Sequence, residues 1–393
     1  MTPGAAERVA AMRVLGNGGL AREVLVSRSP ERGLVTVGAD VGLRLRGGER
    51  PGPFDLAGAS GPTLAHTVPR AAGEAVERYA VANLGHAESP IPDPGATPWD
   101  RLPPALREGY PSDLGRPVYP AHDLRTGAAY ALPAELVDFP NSHAHWPGSP
   151  SGAAAHLSRE AARHAALIEM LERDGVMRAW FGRVELVELN FADGPPLPNG
   201  RPLLAGDRLR VLRTSTAIKG LNCYLAARLN AERCGCGAAV DCDDRRAVAR
   251  AVREAMQVSD LLELLDSLLN HDPAADRRLG PEIRRARFWA SADSTTAFDE
   301  LCDGAQSGLA APSGDAALPR ASELVERLPA SVLPLEVDLT YRIPATLQDA
   351  GWRACKVIAL GLQPLVMDDD APWAISRSRI PRRRGDVPPH PLI

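Results

Sequence analysis

Glu74, Glu77 and Arg78 stand in the spacing Glu-x-x-Glu-Arg, and Glu169, Glu172 and Arg173 repeat it later in the chain. Residues three apart share one face of a helix, so each set aims two carboxylates the same way. Hard divalent cations such as magnesium prefer oxygen ligands, and on a nucleotide magnesium takes a few carboxylates together with phosphate oxygens. Adjoining arginines would neutralise those carboxylates or clamp phosphate. A plainer alternative stands beside this one: an arginine four residues after a glutamate is an ordinary ion pair on a helix surface.

The elements that must carry these groups are legible. Residues 149–155 form a small-residue loop, Ser158 is a natural N-cap, and Glu160 falls in the first turn, so a long helix is expected from about Arg159. Ala162, Ala166 and Met170 make one apolar row along it, and Leu167 with Leu171 a second. Residues 67–79 predict another helix, with Pro69 in its first turn and Ala72, Ala75, Val76 and Tyr79 on its buried side. A third is expected after Asp243 or Asp244, burying Val248, Ala251, Val252 and Ala255 and placing Glu254 and Gln257 on one face. Strands are expected at 23–27 and 34–38 as a peripheral hairpin, and at 183–189, 208–213, 221–225, 335–340 and 354–360, with a short helical turn at 344–351. The proline-rich stretch 88–120 reads as a loop and 302–319 as a linker. Long helices alternating with strand pairs point to an α+β fold, an α/β sandwich of helices on mixed and antiparallel sheets.

Composition narrows the functions. The chain has 393 residues and a formal net charge of −4, which gives no reason to invoke nucleic acid or a membrane surface. No segment is apolar for long enough to suggest a signal peptide or a membrane span, so a cytoplasmic protein is expected. Six cysteines in a chain of this length are no disulfide framework. Cys234, Cys236, Cys242 and Cys223 lack zinc-finger spacing and read as loop or buried thiols, while His143 and His145 beside Trp146 suggest a loop role or a substrate contact. Gly16-Asn-Gly-Gly19 lacks the Lys-Ser/Thr ending of a phosphate loop and reads as a turn. The ending Asp-Val-Pro-Pro-His-Pro-Leu-Ile at 386–393 can only be extended and polyproline-like.

Gly-Glu-Ala-Val-Glu-Arg-Tyr at 73–79, Ser-Gly-Ala-Ala-Ala-His at 151–156, Ser-Arg-Glu-Ala-Ala at 158–162, Glu-Met-Leu-Glu-Arg-Asp at 169–174 and the proline-rich ending together resemble the YcaO family, in particular its azoline-forming cyclodehydratases. The motifs fall in the family's order over roughly residues 60 to 393. The resemblance implies one YcaO-type domain over 1–393, with an ATP-site core at about 60–300, C-terminal strands at 330–370 and a proline-rich tail at 380–393. It implies ATP and Mg2+ as cofactors and a ribosomal precursor peptide as substrate. A Cys, Ser or Thr side chain would attack the preceding amide, ATP would phosphorylate the amide oxygen, and phosphate would leave to give a thiazoline or oxazoline. Positioning and charge neutralisation are what such phosphoryl transfer asks of an enzyme.

In that implied scheme Glu74, Glu77, Glu169 and Glu172 hold magnesium, and Arg78 and Arg173 contact phosphates or brace the carboxylates. Ser151 adds a polar ligand, and Glu254 and Gln257 face the nucleotide. Pro388, Pro389 and Pro391 belong to a catalytic tail in which His390 is a candidate proton-transfer group, since imidazole titrates near neutrality. Two positions depart from the family: Arg70 stands where many members have serine, and Val258-Ser259-Asp260 stands where many place an arginine after the glutamine. Arg70 would either supply a phosphate contact of its own or obstruct the nucleotide. A diverged, non-catalytic peptide-binding or scaffold subunit and a thioamide-forming enzyme remain as alternatives. A leader-recognition module is not evident, so a separate leader-binding partner protein is expected; a homodimer is common among relatives.

Overall fold

The computed structural model describes residues 4–30, 33–42, 55–82, 97, 99–102, 118–140, 148–182, 184–192, 194–197, 200, 202–268, 281–310, 317–368, 374–381 and 387–392. Helix α1 (Ala5–Leu15) is followed by strands β1 (Glu23–Ser29), β2 (Leu34–Asp40) and β3 (Leu56–Gly61), an antiparallel sheet in the order β1-β2-β3. The expected hairpin is β1 and β2, and β1 is exposed along nearly its whole length, as a peripheral strand should be. Helix α1 and β3 lie outside the expected elements. The first buries only Ala10, Ala11 and Val14, and the second, Leu-Ala-Gly-Ala-Ser-Gly, contains no β-branched or aromatic residue, so neither carries a strong periodic signal.

Helix α2 (Leu64–Val81) packs on β2 and β3. It starts upstream of the expected position, because Thr63 takes the N-cap place and the Thr67 hydroxyl donates back to the Thr63 carbonyl at 2.8 Å. Pro69 therefore lies in the second turn rather than the first. Next come β4 (Val118–Asp123), β5 (Ala129–Pro133), the short helix α3 (Ala134–Val137) and β6 (Ala153–His156). Residues 118–120, expected in a loop, open strand β4; most of 88–117 and all of His143, His145 and Trp146 lie outside the described residues.

Helix α4 (Arg159–Phe181) begins where expected, with the Ser158 side chain accepting the Ala161 N–H at 3.2 Å. Strands β7 (Val187–Asn190), β8 (Arg208–Ser215), β9 (Asn222–Leu229) and β10 (Cys234–Asp241) follow, then helix α5 (Asp244–Leu268). Asp243 caps α5, its carboxylate accepting the Arg246 N–H at 2.7 Å. Segment 234–241, expected as a loop, is a fully buried strand. Its glycines let α5 lie close on it: a Cβ at Gly237 would stand 2.4 Å from the Ala251 carbonyl.

Helices α6 (Pro281–Trp289) and α7 (Ala292–Asp303) precede β11 (Gln306–Leu309), then α8 (Ala321–Arg327), β12 (Leu333–Asp338), α9 (Ala345–Asp349) and β13 (Arg353–Leu360). Strand β11 corrects part of the expected linker: it adds to β7 in parallel, where backbone pairing outweighs a Gln-Ser-Gly composition that reads as loop. The strands form two five-stranded sheets, β10-β9-β8-β7-β11 and β5-β4-β12-β13-β6. Helix α4 touches β9 and β10 of the first and β6 and β13 of the second, which is why its C-terminal half is buried all round. Gly175 permits that closeness, since a Cβ there would meet the Cys223 Cβ at 2.5 Å. No helix among the described residues is long and apolar enough to cross a membrane.

Candidate functional site

Three helices deliver acidic side chains to one region. Helix α2 brings Glu74 and Glu77, α4 brings Glu169 and Glu172, and α5 brings Glu254. Arg173 is their common counter-ion, 3.3 Å from Glu169 and 3.4 Å from Glu172, while Arg78 pairs with Glu74 at 2.8 Å. Glu169 is 23% and Arg173 17% exposed, so both groups reach solvent instead of being sealed in the apolar core.

The electrostatics confirm the crowding. Burial, then the charges of Glu169 and Glu74, push the Glu77 carboxyl well above its ordinary value. Burial also raises Glu169, with Glu172 adding to the effect; Arg173 and the Gly152 N–H, which donates to Oε2 at 3.0 Å, oppose it. Glu254 rises to about 7 through burial and the charge of Glu172, against the pull of Arg173 and the Ala238 N–H at 3.0 Å. Burial alone would lower Arg173, but Glu172, Glu169 and Glu254 outweigh it and hold the guanidinium above its ordinary range.

The carboxylates turn to arginines and backbone amides, and among the described residues no three of His, Cys, Asp or Glu form a metal-binding group. A single four-glutamate cage is therefore not assembled in this arrangement. The donor set still suits a hard cation, because it offers oxygen ligands only, and burial together with neighbouring carboxylates raises the Glu77, Glu169 and Glu254 carboxyls. Glu169 and Glu172, both within reach of Arg173, and Glu77, whose carboxyl feels the charge of Glu169, are the residues that would approach a cation only after rearranging from the present contacts.

The remaining candidates divide. Gln257 donates to the Gly58 carbonyl at 3.3 Å and Arg70 to the Ser60 carbonyl at 2.7 Å, so both sit on β3 beside the cluster. Ser151 adjoins Gly152, the N–H of which reaches Glu169, and its own hydroxyl accepts from Ser149 at 2.9 Å and from the Leu365 N–H at 3.0 Å, tying two loops together. The tail is no exposed end. The Trp180 indole donates to the Pro388 carbonyl at 2.8 Å, and that of Trp289 donates to the carbonyls of Pro389 and His390 at 3.2 and 3.0 Å. His390 is fully buried, donates from Nε2 to the Val366 carbonyl at 2.6 Å, and leaves Nδ1 without a partner. Burial, then Arg285, and also Arg173 push its pKa well below the ordinary imidazole value, so it is neutral, and the charge of the cluster's central arginine reaches the tail.

Lys356 escaped the sequence reading. It lies buried on β13, donates to the Ser149 carbonyl at 2.6 Å and the Val137 carbonyl at 2.9 Å, and so holds the loop whose Gly152 N–H contacts Glu169. Burial lowers it to about 7, while Asp138, Glu169 and Glu77 favour its charge. A lone lysine inside the apolar run Ala354-Cys-Lys-Val-Ile was the available signal.

Residues 61–363 match a family model described as YcaO cyclodehydratase, ATP- and Mg2+-binding. No curated protein matches the chain. Among solved structures, YcaO from Methanopyrus kandleri bound with AMPPCP and Mg2+ superposes with a TM-score of 0.61 at 17% identity, covering 97% of this chain and 93% of that one. A heterocyclase in complex with substrate and cofactor gives 0.59 at 18%, covering 93% and 54%, and the E. coli microcin synthetase McbBCD complex 0.59 at 13%, covering 86% and 88%.

Proposed function

The chain belongs to the YcaO family, and on that premise we propose that it is the ATP- and Mg2+-dependent cyclodehydratase component of a peptide-modifying system, forming thiazolines or oxazolines from Cys, Ser or Thr. The observation that carries the reading is the convergence of carboxylates from three helices on Arg173, with raised carboxyl pKa values, instead of separate surface ion pairs. ATP, when bound, supplies the phosphoryl group that makes the amide oxygen a good leaving group. Glu77, Glu169 and Glu172 would hold the cation. Arg78 and Arg173 would exchange carboxylate for phosphate and spread the transferred charge. The Gly152 N–H keeps Glu169 oriented. A peptide substrate and a leader-binding partner subunit complete the proposal.

Isothermal titration of ATP with magnesium tests it: binding heat in the wild type and none in Glu169→Ala supports the enzyme. Absence of heat even with precursor and partner present supports a peptide-binding or scaffold subunit. Product mass separates the chemistries, since loss of water marks an azoline and oxygen-for-sulfur exchange marks a thioamide.

A further inference from the structure

Of the positive charge beside the carboxylates, Arg250 and Arg253 have no use in the scheme above, and Arg70 stands there only as a phosphate contact or an obstruction. Arg250, Arg253, Glu254 and Gln257 lie on one stripe of α5, at the spacing of helical neighbours. Gln257 reaches the Gly58 carbonyl and Arg70, from α2, reaches the Ser60 carbonyl. Those carbonyls are two residues apart on β3, the outer strand of its sheet, so they draw the α5 stripe and Arg70 to one edge. Compensation is incomplete. Glu74 is engaged by Arg78, Glu254 accepts the Ala238 N–H, and the nearest carboxylate to Arg250 is Asp241 at 3.8 Å, which Arg246 already holds. Among the described residues Arg253 has no hydrogen bond and no ion pair. Burial, then Arg70 and Arg250, lower its pKa to about 10 against the pull of Glu254, so it keeps its charge at neutral pH while repelled by both arginines.

We propose that Arg70, Arg250 and Arg253 form an anion subsite that takes a phosphate group next to the carboxylate cluster. Planar guanidinium groups from two elements, Arg70 on α2 and Arg250 with Arg253 on α5, suit the oxygens of a phosphate. The phosphate is either the terminal group of the nucleotide or the free phosphate that the reaction releases; the first source rests on the nucleotide reading given above.

The test is titration of the full chain with AMPPCP, ADP (each with magnesium) and inorganic phosphate, on wild type, Arg253→Gln and Arg250→Gln, alongside thermal melts. Loss of a charged contact weakens AMPPCP and inorganic phosphate by about tenfold per arginine while ADP changes by less than about twofold. Because Arg253 is repelled in the folded protein, its removal leaves the melting temperature unchanged or higher. A terminal-phosphate site shows the loss mainly with AMPPCP, and a product-phosphate site mainly with inorganic phosphate. Unchanged affinities in both variants, or equal loss for ADP and AMPPCP with a lowered melting temperature, overturn the subsite. Wild-type binding of inorganic phosphate through these arginines without any nucleotide binding would keep the subsite and remove the nucleotide reading; nucleotide binding indifferent to both substitutions would do the reverse.

Discussion

Arg173 decides the state of its neighbours, because three carboxylates depend on one partly buried guanidinium. Removing one partner of such a group leaves uncompensated charge, so Arg173→Met is expected to cost up to about 3–5 kcal/mol at pH 8 in urea unfolding. The sign of the pH dependence follows from the raised carboxyls. Glu254 loses its proton near 4.5 when unfolded and at about 7 when folded, so between those values the folded chain binds more protons and stability falls as the pH rises. Glu254→Gln should flatten that slope, measured as the urea midpoint from pH 4.5 to 8. Arg173→Met should steepen it, its destabilisation smaller at pH 5 than at pH 8; a destabilisation independent of pH would contradict the shared-charge account.

Among the elements, the tail shows how far sequence could go. Its extended, proline-limited backbone was readable from composition, but its burial was not: the two indoles that bind it lie on α4 and α6, 208 and 100 residues away along the chain. Helices α2, α4 and α5 were readable because their apolar rows and caps are local, and β10 was missed because Cys-Gly-Cys-Gly suits a strand only where a helix must approach it. The site divides in the same way. The Glu-x-x-Glu-Arg pairs are local signals, whereas Lys356 and the Ser151 link exist only through contacts distant in sequence. Trp289→Phe keeps the aromatic packing on Trp180 and removes the donor to Pro389 and His390, so it should lower stability by about 1–2 kcal/mol and speed carboxypeptidase trimming of the tail. Acid should act alike. His390 is neutral when docked, with a pKa below the ordinary 6.5, so a released tail takes up the proton first and docking weakens as the pH falls below about 6.5. Trimming rates measured between pH 7.5 and 5 should rise in the wild type and stay flat in His390→Asn.

At the scale of the molecule, helix α4 is the member shared by both five-stranded sheets and by the site, so whatever fixes its axis also fixes Glu169 and Glu172. Similar architecture at 13–18% identity fits that economy, since packing of helices on sheets tolerates extensive apolar exchange provided volume and pattern persist. One charged joint sets the N-terminal end of α4. Glu336 on β12 is 2% exposed and accepts from Arg159 at 2.9 Å and Arg163 at 2.8 Å, whose side chains are 51% and 27% exposed. The joint is asymmetric. Replacing Glu336 by Leu strands only two arginines that water can still reach, whereas replacing both arginines by Ala leaves a carboxylate buried in a sheet without a counter-ion. The double variant Arg159→Ala/Arg163→Ala should therefore be the less stable by about 2 kcal/mol or more in urea unfolding. Equal loss in the two variants would mean that the contact acts through packing of the arginine stems against β12 and not through charge.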